Sequence, residues 1–316
     1  MALTFTTFDV FTKTPFRGNP LGIINVPADT QLTQDQKQLI ARELNLSETV
    51  FLHEQTPADV GARTARIDIF TPLAEIPFAG HPTIGTANYL LHHHQRLGGN
   101  NSAPEILSTR AGPVPFKAAP DGVGAQVAVA HNFHIHHSQP FAGSDYSKHP
   151  VVSIVNGMTA IMAQLPNLAA LGKQTANLVG GENTFAAAAT LDEGWRNGPV
   201  VTYFYVDLGR AADGTRKLRT RNLGSREDPA TGSSAAGLCS MLSLLDAEEA
   251  TGSTTRTRTF EITQGVEMGR PSEIRVRVTV DAAGTGIEEV LISGDAVKIL
   301  EGTVPIPSPE TKVKPE

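Results

Sequence analysis

The sequence predicts a two-part α+β protein made from a duplicated α/β unit, and three observations predict it. The stretch "EIPFAGHPTIG" (75–85) overlays "EDPATGSSAAG" (227–237) without a gap, sharing ExPxxGxxxxG at an offset of 152 (227 − 75), close to half of the 316 residues. Each copy follows a strand-like segment and leads into an apolar, helix-like one. The stretch that opens with the second copy, "SSAAGLCSMLSLL", is apolar on nearly every side, so as a helix it must be surrounded by protein, as when a curved sheet wraps around it.

The elements follow in order. Residues 4–10 and 21–26 read as strands joined by the turn-rich "TKTPFRGNP". Thr33 and Gln36 form a capping box that opens a helix to Leu44, with Leu39, Ile40 and Leu44 on one face and Asn45 as its stop. Glu48 stands at the helix-to-strand junction of "LSETVFLH", and "RIDIFT" (66–71) is a further strand. After "PFAGHP" a helix begins with Pro82 at its first position, where a missing N–H is no loss, and it buries Ile84, Ala87, Leu90 and Leu91. Residues 105–130 hold three short strands, with turns at Gly112 and at Asp121–Gly122.

The histidine-rich segment 131–150 lacks a sustained apolar period and marks the boundary between an N-terminal half, 1–130, and a C-terminal half, 131–292. Asn156–Gly157 between apolar runs signals a hairpin. A short helix from about 167, the strand "PVVTYFYVD", an Asp213–Gly214 turn and "KLRTRN" lead into the second motif copy. "TFEITQ", "EIRVRVTV" and "EEVLISGDAVKIL" are the closing strands, and the Pro-rich tail 303–316 is expected to be mobile.

A formal charge of −6 gives no electrostatic footprint for nucleic acid or an anionic membrane. No segment is apolar enough to span a bilayer and no signal-peptide pattern opens the chain, so the expectation is a cytoplasmic protein. One cysteine, Cys239, suits that compartment and excludes any mechanism needing two thiols. "HNFHIHH" puts His134 and His136 on one strand face, but with no carboxylate nearby in sequence the segment reads as solvated, and no metal is expected. "LHHHQ" (91–95) reads as the polar end of a helix, and Trp195 as core.

Helix N-termini present backbone N–H groups and partial positive charge, and glycines beside them admit a ligand to the backbone. Two such turns, one per half, suit a small anion. Neither contains lysine or arginine, which argues for a carboxylate over a polyphosphate. The polar residues at matching offsets are His81 and Ser233, with Asp228 shortly before Ser233.

"FDVFTKTPFRGNPLGI", "ELNLSETVFL", "RIDIFTPLAEIPFAGHPTIG", "REDPATGSSAAG" and "QGVEMGRP" together resemble the PhzF family of phenazine-biosynthesis-type isomerases, in the right order from about residue 8 to 300. The resemblance implies a diaminopimelate-epimerase-like fold: two pseudo-symmetric halves, each a curved, mostly antiparallel sheet or barrel around a central helix. It also implies an active site between the halves, a homodimer, and a last strand (about 293–302) that returns to the first half. By the same resemblance Glu48 is the proton-transferring acid/base, with His81 and Asp228 its polar companions. Ser233 and the backbone at Gly80 and Gly232 would bind the substrate carboxylate, and Asn19 is a further candidate for the cleft.

A glutamate base needs burial and an activated carbon acid. One base on one face can take a proton from one carbon and return it to another, an isomerisation that calls for no cofactor and no metal. Racemisation by a thiol on each face is closed to a chain with one thiol; opposed Glu48 and His81 bases leave a racemase or epimerase as the alternative, beside a catalytically silent ligand-binding protein.

Overall fold

In a computed structural model, residues 2–93, 103–120, 122, 124–137, 149–249 and 256–311 are described, with side chains for all but 248 and 249. The chain forms two compact units, Met1–Val127 with Ser293–Glu316, and Ala128–Ile292.

In the first unit β1 (Ala2–Val10) runs antiparallel to β2 (Asn19–Val26). The helix α1 (Gln34–Leu44) carries the chain across to β3 (Glu48–His53), parallel to β2. The reciprocal capping box of Thr33 and Gln36 starts α1, and Asn45 ends it in the left-handed conformation. A short α2 (Pro57–Gly61) precedes β4 (Thr64–Phe70), antiparallel to β3. The two-residue β5 (Glu75–Ile76) folds back on β4 and feeds α3 (Gly80–His92). Next, β6 (Ile106–Thr109) lies parallel to β4, and β7 (Gly112–Ala118) pairs antiparallel with β6 and with β8 (Ala125–Ala128).

The second unit repeats this plan. After β9 (His134–Ile135) come β10 (Val151–Val155) and β11 (Met158–Gln164), an antiparallel hairpin turning at Gly157. The connection through α4 (Leu168–Gly172) leads to β12 (Val200–Arg210), parallel to β11, and β13 (Arg216–Leu223) is antiparallel to β12. The two-residue β14 (Glu227–Asp228) folds back on β13 and feeds α5 (Gly232–Glu249). Finally β15 (Thr257–Gln264) is parallel to β13 and β16 (Ser272–Val280) antiparallel to β15. In both units the pairings thus read antiparallel, parallel, antiparallel, parallel, antiparallel, with the long helix before the last two strands. The duplication read from ExPxxGxxxxG therefore extends over six strands of each unit.

Each long helix lies among the strands of its own unit, α3 against β1, β2, β3 and β7, and α5 against β10, β11, β15 and β16. Residues 80–90 and 232–243 are buried without a break, as an all-round apolar helix requires. Each leucine so buried contributes about 1.5–3 kcal/mol, which is why these helices need no polar face.

After β17 (Ile287–Gly294), the last strand, β18 (Ala296–Pro305), pairs antiparallel with β1. This corrects the mobile tail expected over 303–316 for its first part; residues 312–316 lie outside the described residues. Val304 and Ile306 pack on the Leu3, Ile24 and Phe51 cluster, and Gln36 Nε2 donates to the Pro307 carbonyl at 2.7 Å. The apolar side chains spaced between the prolines outweigh the prolines' disfavour for a sheet. A second correction concerns α3. Its N-cap is Ala79, so Pro82 is the third helical residue, still within the first turn whose N–H groups have no helical partner. Gly112 and Gly122 sit at the expected turns with positive φ, while Asp121, His94 and Gln95 lie outside the described residues. Among the described residues no helix is long and apolar enough to cross a membrane.

Candidate active site

Glu48 opens β3, where its register partner is Leu21 of β2. Leu21 faces α3: a Cβ on Gly85 of that helix would lie 2.4 Å from Leu21 Cδ2. In-register residues of neighbouring strands point to one side of the sheet, so Glu48 is also aimed at α3. There its Oε2 meets Nδ1 of His81, in the helix's first turn, at 2.8 Å. The imidazole is 3% exposed and the carboxylate 18%, so the pair is largely screened from water and open at the glutamate end. Asn19, two residues before Leu21, is fully buried at the start of β2. The N-cap of α3, Ala79, makes no side-chain cap hydrogen bond, and Gly80 follows it as the first helical residue.

Asp228, Gly232 and Ser233 belong to the second unit. Asp228 Oδ2 accepts from the Thr231 hydroxyl at 2.6 Å, and Ser233 is buried in the first turn of α5. Gln264, unforeseen from the sequence although it opens the quoted "QGVEMGRP", organises this turn. Its Nε2 donates to the Asp228 carbonyl at 2.7 Å, and its Oε1 accepts from Thr231 N at 3.2 Å and Tyr203 Oη at 3.0 Å. Gly265 follows with φ +75°, and a Cβ there would lie 2.6 Å from the Pro229 carbonyl oxygen, so only glycine lets this loop close on the motif.

The glutamates of the two motif copies are anchors. Glu227 takes a two-point contact from Arg221, at 2.8 and 2.7 Å, and Glu75 pairs with Arg110 at 3.1 Å and accepts from Gln34 Nε2 at 2.9 Å. Cys239 is fully buried in α5, and desolvation pushes its thiol well above the ordinary range, so it is core as expected. The histidine run departs from its solvated reading: Asp192 brings a carboxylate to within 2.8 Å of His134 Nε2, and His136 is buried. Sequence distance hid this contact. Residues 138–148 of that segment lie outside the described residues.

The model of the phenazine biosynthesis-like protein family matches residues 8–302. The chain belongs to the PhzF family. An uncharacterized isomerase of Mesorhizobium japonicum is 30% identical to it, over 93% of this chain and 96% of that protein. The trans-2,3-dihydro-3-hydroxyanthranilate isomerase of Pseudomonas aeruginosa is 31% identical, over 94% and 98%. A Bacillus anthracis PhzF-family crystal structure superposes with a TM-score of 0.69 at 23% identity, covering 97% of this chain and 100% of that one. As a PhzF-family member the protein is an isomerase, and its fold is the diaminopimelate-epimerase-like α+β class.

Proposed function

We propose that this PhzF-family isomerase moves a proton within a small unsaturated carboxylate bearing an amino or hydroxy group, with Glu48 as the acid/base. The observation that carries the reading is the 2.8 Å contact between Glu48 Oε2 and His81 Nδ1 at the open N-terminus of α3. His81 donates to the carboxylate through Nδ1–H, which fixes the oxygen and leaves the rest of the carboxylate to face substrate. Glu48 removes a proton from an activated carbon, the electron pair shifts through the adjacent double bond, and the same carboxyl returns the proton to a second carbon on that face. His81 steadies both protonation states of Glu48. Neither step consumes a cofactor.

The carboxylate of the substrate is assigned to backbone amides at Gly80 and Gly232 and to Ser233, with Asp228 and Asn19 as further polar contacts. Support comes from the repeated short-strand-to-helix turns and the absence of lysine and arginine within them. The protein is taken as a cytosolic homodimer, which light scattering of the purified chain checks for assembly.

Trans-2,3-dihydro-3-hydroxyanthranilate, on which two curated relatives are named to act, is the first substrate to try. In heavy water the protein should incorporate deuterium into it or a related carboxylate, and Glu48→Gln should abolish incorporation while binding persists. Incorporation retained by Glu48→Gln removes Glu48 from the chemistry. A carboxylate that binds and returns both unchanged and unlabelled from the unaltered protein identifies a silent binder.

A further inference from the structure

His134 lies on β9 and His136 directly follows that strand, two residues apart and on one side, while Asp192 arrives from the turn after the helical stretch Ala186–Thr190. One ligand atom from each of His134, His136 and Asp192, a ring nitrogen or a carboxylate oxygen, lies within 4.8 Å of the other two. Two separations are 2.8 Å, His134 Nε2 to Asp192 Oδ2, and 3.8 Å, His136 Nδ1 to Asp192 Oδ2. A tetrahedral zinc with bonds of about 2.0–2.1 Å sets its donors about 3.3 Å apart, so small side-chain shifts convert this cluster into three corners of such a site.

The independent observation is His136. It is 4% exposed, its Nε2 lies 2.8 Å from Ser153 Oγ, and Ser153 Oγ lies 2.6 Å from Thr159 Oγ1. That chain suits Nε2–H donating to Ser153 and the Ser153 hydroxyl donating to Thr159. In that arrangement Nδ1 keeps a bare lone pair, buried, without a hydrogen-bond partner among the described residues and 3.8 Å from Asp192 Oδ2. A lone pair facing an anion in a dry place is unfavourable, and a cation between them reverses the sign. The outer hydrogen bond of His136 is the kind that orients a metal-bound imidazole. Trp195 stacks on His134 with ring centroids 4.7 Å apart and planes 9° from parallel, holding that ring in position.

We propose that His134, His136 and Asp192 bind one divalent transition-metal ion of the zinc class, clamping β9 to the Asp192 turn within the second unit. Two imidazoles and one carboxylate favour zinc, cobalt or nickel over the all-oxygen cations magnesium and calcium. A fourth position is left for water.

The test uses the full, tag-free chain, freed of metal with a chelator and titrated calorimetrically with zinc alone. One equivalent should bind, and Asp192→Asn and His136→Gln should each weaken binding at least about tenfold, as loss of a ligand demands. At one zinc concentration the melting temperature of the unaltered protein should rise more than that of either variant. Absence of saturable binding overturns the proposal, as does one-equivalent binding that survives both substitutions. Should a variant fail to fold, crystals of the unaltered protein soaked in zinc decide: anomalous density among the three donor atoms supports the site, and density elsewhere or nowhere overturns it.

Discussion

The side-chain amide of Gln264 donates to the main-chain carbonyl of Asp228 at 2.7 Å, tying the end of β15 to the second motif turn across 36 residues of chain. Gln264 is fully buried, and the same side chain accepts from Thr231 N and Tyr203 Oη. Gln264→Ala would leave the part-buried Asp228 carbonyl and Thr231 N–H and the buried Tyr203 hydroxyl short of a partner. The expected loss is about 2–4 kcal/mol, several times the net worth of one hydrogen bond, because desolvation of the abandoned groups dominates. Urea unfolding should show it as a lower midpoint at unchanged slope, and under the proposed function a rise in KM should accompany it because the turn carrying Asp228 loosens.

His81 offers a separate reading of the Glu48 pair. Under the proposed mechanism, in which His81 also helps proton movement, His81→Gln keeps an N–H donor near the Glu48 carboxylate but no imidazole. Turnover should fall by about 10²–10⁴, the range for a positioned acid/base partner, with KM changed far less. Steady-state kinetics on the substrate that exchanges deuterium measures both. A variant at full turnover removes the imidazole from the proton path.

The acid limb of stability should carry the mark of Asp68. Burial raises its pKa, but hydrogen bonds from His53 Nε2 at 2.7 Å and Lys37 Nζ at 2.5 Å, with their charges, outweigh burial and hold the carboxyl at about 2. The folded value lies below the ordinary 3.8, so the carboxylate stabilises the native state above pH 3.8, and that contribution drains away as pH falls toward 2. The side chain is 22% exposed, and water screening holds the effect to about 1 kcal/mol. Asp68→Asn should lower stability at neutral pH and flatten the pH dependence between about 4 and 2, as denaturant midpoints at successive pH values would show.

What was legible in the sequence was what local chemistry determines. The capping box at Thr33, the Asn156–Gly157 hairpin, the all-round apolar character of α5 and the repeated motif each state a backbone requirement within a few residues. The Glu48 and His81 assignments came from motifs in context, and their contact joins residues 33 apart on different elements (81 − 48). Gln264 with Asp228, and Asp192 with His134, were out of reach because nothing near a glutamine or an aspartate in the chain announces a partner 36 or 58 residues away. Proline content points to a mobile tail, but Val304 and Ile306 decide its packing through a cluster formed by residues far away in the chain.

The last glycines of the two motif copies, Gly85 and Gly237, occupy equivalent places in α3 and α5 but should respond oppositely to alanine. A Cβ at Gly85 would lie 2.4 Å from Leu21 Cδ2 and 2.8 Å from Val10 Cγ2, both fully buried, and valine has little freedom to withdraw. Overpacking of this kind costs about 1–3 kcal/mol and offsets the gain of about 0.5–1 kcal/mol from removing a helical glycine. At Gly237 the nearest atoms are Met162 Cε at 3.2 Å and Val152 Cγ2 at 3.5 Å, and methionine adapts readily. There the helical gain prevails. Gly85→Ala should therefore lower the unfolding midpoint and Gly237→Ala leave it equal or higher. Under the proposed function, because Gly85 sits one turn from His81 on α3, its variant should also slow deuterium exchange, while Gly237→Ala should not. Equal destabilisation by both would mean that the two helices are packed alike and that the Leu21 and Val10 contacts do not set the difference.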